Sequence, residues 1–110
     1  MKPVAVLSYE EEWMPNKVAV FRALCGPDHC VLLFYVYRGD PYAIIVPARP
    51  SPLCSLVDID NAKIVSRIVS DLGIKSAYLP ACRVSRRLMR KSIEETINTM
   101  IGLGLIDEIL

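Results

Sequence analysis

Glutamine is absent from this chain, and asparagine occurs only at Asn16, Asn61 and Asn98. Scarcity of labile amides is a hyperthermophile tendency. It lifts the usual objection to disulfides inside a cell, because hyperthermophile cytoplasm is the recognised exception. No apolar run approaches the roughly 18 residues that a membrane span needs, so no membrane partner is expected. The start, Met1-Lys2-Pro3-Val4-Ala5-Val6-Leu7, is too short for a signal peptide and soon meets Glu10-Glu11-Glu12. The expected location is therefore cytoplasmic.

Charge of one sign is also missing. With 13 Lys and Arg against 12 Asp and Glu the formal net charge is +1, so any nucleic-acid contact must come from a local patch. Signature motifs are absent as well. Gly102-Leu103-Gly104 follows a helical pattern instead of opening one, unlike a phosphate or dinucleotide loop. Arg38-Gly39 runs into Asp40-Pro41-Tyr42, not into an RNA-recognition signature. There is no Cys-x-x-Cys pair, no repeat, no low-complexity stretch and no linker.

What is present is a single apolar domain, 1–110. The hydrophobic share is 53%, above the usual 45–50% of soluble domains. Such a small apolar domain suggests a homo-oligomer or a complex subunit. Residues 3–8 read as a strand, and residues 17–25 as a helix capped by Asn16 and ended by Gly26-Pro27. Residues 30–38 and 42–48 read as a hairpin rich in aromatic and β-branched residues. Residues 61–72 carry the helical stripe Ile64, Val65, Ile68, Val69, Leu72, closed by Gly73 with Ile74 folding back. A fourth strand is expected over 74–79. A last helix is expected to start after Ser85, with Val84 and Met89 as its staple, and to run to Gly102. The tail 105–110 suits a helical turn or an edge strand.

This order predicts an α+β, ferredoxin-like βαββαβ two-layer sandwich with an additional C-terminal helix. The alternative is a three-layer α/β sheet with parallel neighbours. Either way the hairpin is apolar on both faces, so the last helix or another subunit must cover the second one. The topology gathers Cys25, His29, Cys30, Arg49, Cys54, Cys82, Arg83, Arg86 and Arg87 at one end of the sheet. It sends Glu10, Glu11, Glu12, Trp13, Arg38, Asp40, Asp71 and Lys75 to the other.

The arginines carry the leading functional expectation. Cations at a helix start oppose the helix dipole, which makes sense if they hold an anion there. Arg49, Arg83, Arg86, Arg87 and Arg90 are the candidate anion or nucleic-acid contacts, with Tyr35, Tyr37, Tyr42 and Tyr78 as stacking surfaces for bases. The plain reading is a solvated face on which Arg90 pairs with Glu94 and Lys91 with Glu95. Cys25, Cys30, Cys54 and Cys82 are a candidate disulfide or thiol cluster, with free buried thiols expected first and the connectivity of any bridge open among three pairings. Cys25-x4-Cys30 with His29 has weak zinc spacing, so no metal and no cofactor are expected. Cys82 among arginines, with His29 as base, would serve a thiol-dependent enzyme. The first expectation is an oligomeric binding module for an anionic partner, most plausibly nucleic acid. A ligand-sensing or scaffold domain without nucleic-acid contact is the alternative, and the thiol enzyme comes third.

Overall fold

The computed structural model describes residues 1–75 and 80–110. Its strands are β1 (Ala5–Ser8), β2 (Lys17–Cys25), β3 (Asp28–Tyr37), β4 (Asp40–Val46), β5 (Cys54–Leu56), β6 (Cys82–Val84) and β7 (Glu108–Ile109). Its helices are α1 (Ile59–Asp71) and α2 (Ile93–Gly102). The sheet order is β1-β2-β3-β4-β6-β5, and β7 pairs β2 alongside β1. Every pairing among the described residues is antiparallel.

That topology overturns the ferredoxin-like plan and gives no support to the parallel α/β alternative. The deciding segment is 17–25, a strand and not a helix. Val18 and Val20 pack on one face of the sheet, while Phe21 and Ala23 pack on the other. A strand buried on both sides reads as a nearly continuous apolar run, and over nine residues such a run resembles a helix equally well. The supposed helix end is a hairpin: Cys25 pairs with Asp28 around Gly26-Pro27. Gly26 has φ 65°, at the first central position where a II′ turn takes glycine. In the next hairpin Arg38 and Gly39 both have positive φ, 51° and 80°, as a I′ turn requires. The fourth strand expected over 74–79 falls largely on residues outside those described.

Each helix covers one face. Ile64, Val65, Ile68 and Val69 of α1 pack on Val18, Val20, Leu33, Tyr35, Ile44 and Val46. Ile97 and Met100 of α2 pack on Phe21, Leu32, Phe34, Ala43 and Ile45. Helix α1 ends as expected, with the Ile74 N–H donating to Val69 beyond Gly73. The last helix begins seven residues late. Ser85 opens only a turn of 3₁₀ helix, Arg86–Leu88, and its side chain caps nothing. Ser92 is the true cap, accepting from the Glu95 N–H, with Glu94 and Glu95 in the acidic first turn that a helix dipole favours. The tail settles as an edge strand, in which Leu110 N–H donates to Arg22 and Asp107 N–H to Leu24.

Candidate functional site

The cysteines meet at one end of the sheet. Cys25 bonds Cys30 across the β2–β3 hairpin, and Cys54 of β5 bonds Cys82 of β6. All four line a cleft of about 820 Å³, together with His29, Arg49, Leu103 and Asp107. No cysteine is free, so the structure holds no thiol nucleophile, and Cys82 is buried in the core. His29 instead takes a 3.2 Å contact from Arg22 at its Nδ1. Among the described residues no cluster of three or more His, Cys, Asp or Glu is arranged to hold a metal ion.

The arginines do not join them. Arg83 lies 3.8 Å from the Tyr42 ring centre and donates to the Pro41 carbonyl. Tyr42 stacks in turn on Tyr35 at 5.2 Å. Arg86 forms a 3.0 Å ion pair with Asp40 at the opposite end of the sheet from the disulfides. Arg90 turns back onto the carbonyls of Arg87 and Met89. Arg49 remains at the disulfide end, exposed, 3.7 Å from Asp28. The arginines expected to gather at a helix start are thus dispersed, because β6 and the 3₁₀ turn replace the first turns of that helix. Tyr35, Tyr37 and Tyr42 are buried and offer no open face for bases; Tyr78 lies outside the described residues.

Polar groups instead organise the α1 face. Tyr35 donates to Asn61 Oδ1, and Asn61 donates through its backbone and side chain to Asp58, the cap of α1. Those donors, the backbone N–H first, hold the Asp58 carboxyl below the usual carboxylate range. Burial pushes the Tyr35 phenol well above its ordinary value. Nearby, Tyr9 donates to Asp71, while Arg67 bridges Asp71 and Glu11 at 3.0 and 2.7 Å. The Tyr9 phenol is also raised, by burial and then by Asp71. These are structural ties that fasten the β1–β2 loop to α1.

Residue-by-residue reading missed a groove on the α2 face. It has a volume of about 720 Å³, with Val6, Ala19, Phe34, Val36, Met89 and Ile93 among its lining and Lys17, Arg90 and Lys91 along its rim. Val36 is 61% exposed between the buried Tyr35 and Tyr37, and Val6 is 57% exposed between the half-buried Ala5 and Leu7. Neither the Arg90–Glu94 nor the Lys91–Glu95 pair forms; among the described residues the three rim cations have no carboxylate within ion-pair distance. The signal was present in the doubly apolar hairpin, since Val36 is the one residue of Leu32, Phe34 and Val36 that α2 leaves uncovered.

Compared with known proteins, the chain matches no protein-family model, no curated protein and no solved structure.

Proposed function

We propose that this chain is a binding module that seats an acidic, apolar polypeptide segment in the groove of the α2 face. The observation that carries this reading is the coincidence of exposed strand valines with Lys17, Arg90 and Lys91, which among the described residues have no carboxylate within ion-pair distance. Apolar contact supplies affinity there, and the rim selects charge and speeds encounter. The expected anionic partner is kept, while its contact moves from a helix start to a groove. Polypeptide replaces nucleic acid because the tyrosine rings are buried and a groove of valine, phenylalanine and methionine favours side chains over phosphates. We place the protein in the cytoplasm of a hyperthermophile, where its disulfides persist and its amide-poor composition fits.

The test is fluorescence anisotropy with a labelled amphipathic peptide of alternating glutamate and leucine, beside a single-stranded oligonucleotide of equal length. The peptide should bind more tightly, and Val36→Lys should weaken it about tenfold while leaving thermal stability within about 0.5 kcal/mol, as for an exposed site. Tighter oligonucleotide binding, or no effect of Val36→Lys on the peptide, would overturn the reading.

A further inference from the structure

We infer that the segment seated in the groove is the acidic loop of a second copy of this chain, centred on Glu10, Glu12 and Trp13. This rests on the groove reading and names its occupant.

The loop between β1 and β2 is pinned at both ends. Tyr9 and Met14 are buried in the α1-face core, and the Met14 N–H donates to the Glu11 carbonyl across the turn. Glu11 is held by Arg67, which also lies 5.9 Å from the Trp13 ring centre. What remains pointing outward is Glu10, Glu12 and a 45% exposed Trp13. A large exposed indole flanked by carboxylates is the complement of an exposed valine floor flanked by lysines. Tryptophan is also among the side chains that dominate interface energetics, burying about 150–250 Å².

The loop cannot fill its own groove. Tyr9 and Met14 anchor it on the α1 face, whereas the groove opens on the α2 face, with the sheet between them. The occupant must come from another molecule. Because loop and groove are different surfaces, the contact closes as a two-fold dimer when the two copies exchange loops reciprocally, and otherwise repeats head to tail into a ring or a chain. Its polar part is screened over about 8 Å at physiological salt, so association should weaken as salt rises.

Sedimentation velocity of the full chain tests this with two charge-reversed variants, Glu10→Lys/Glu12→Lys in the loop and Lys17→Glu/Lys91→Glu on the rim. All four positions are exposed, and circular dichroism will confirm that both variants fold. Wild type should associate, and each variant alone should dissociate about tenfold more readily. An equimolar mixture of the two should regain association, since each then meets the opposite charge. Variants that associate like wild type, or a mixture that stays monomeric, would overturn the inference. A wild-type protein that stays monomeric yet binds the acidic peptide would overturn self-docking alone. One that binds neither removes the groove reading as well.

Discussion

The two faces of the sheet are closed by different chemistry. Under α1 the core is tied by hydrogen bonds, a buried one from Tyr35 to Asn61 and a part-buried one from Tyr9 to Asp71. Under α2 it is apolar, with the Phe21–Phe34 edge contact at 5.6 Å and two disulfides at one end. Length explains the division. Strand β3 has ten residues and spans roughly 33 Å, whereas α1 with 13 and α2 with 10 span about 20 and 15 Å. Neither helix covers its face. On the α1 side the loop carrying Tyr9 and Met14 adds cover at the end away from the disulfides. On the α2 side the disulfides brace the other end, where they line the larger cleft, and the groove is a second opening that α2 leaves uncovered.

The largest expected effect comes from removing the covalent closure. Cys54–Cys82 links residues 28 apart and is worth roughly 3–4 kcal/mol in the loop-entropy model, while Cys25–Cys30, five apart, is worth about 2. Urea denaturation of Cys54→Ala/Cys82→Ala should show the greater loss, and that of Cys25→Ala/Cys30→Ala the smaller. Equal stability of wild type with and without reductant would break the contrast between the faces.

Next comes the polar closure. Asn61→Ala strands the buried Tyr35 hydroxyl and should cost about 1–3 kcal/mol. Removing both partners by Tyr35→Phe/Asn61→Leu should cost clearly less than the sum of the single changes, because no polar group is then left unpaired. A double variant with strictly additive losses would mean that the bond does not organise this face.

How much of this was legible in the sequence follows from the same physics. The hairpin of β3 and β4 declared itself by β-branched and aromatic residues, and α1 by its stripe and its Gly73 ending. The disulfide end was located although the fold was misread. A strand over 17–25 travels the sheet in the same direction as the expected helix, so Cys25, His29 and Cys30 arrive at the same place. Arg83 and Arg86 were misplaced because Cys82–Val84 pairs with β4 and β5 as a short strand, which three residues cannot announce. The structure caps the helix at Ser92, seven residues beyond the expected Ser85. The acidic pair Glu94-Glu95 favours the later cap, and charge was the better guide there.

The smallest expected effect concerns the cap of α1. Asp58 accepts from the Asn61 backbone and side chain, so its carboxyl titrates below the unfolded value in the folded chain. A depressed folded pKa contributes stability that is fully present above the unfolded pKa, near 3.9, and is lost as pH falls through the folded value. Asp58 is exposed, so solvent keeps the contribution small. Asparagine caps helices about as well as aspartate but does not titrate. Asp58→Asn should therefore melt slightly below wild type at pH 7, and the two melting curves should converge as pH drops from about 5 to 3. Every other side chain is common to both proteins, so its contribution cancels in the difference. A gap that stays constant or widens toward acid would show that the carboxylate charge at position 58 does not help to hold the start of α1 on its face of the sheet.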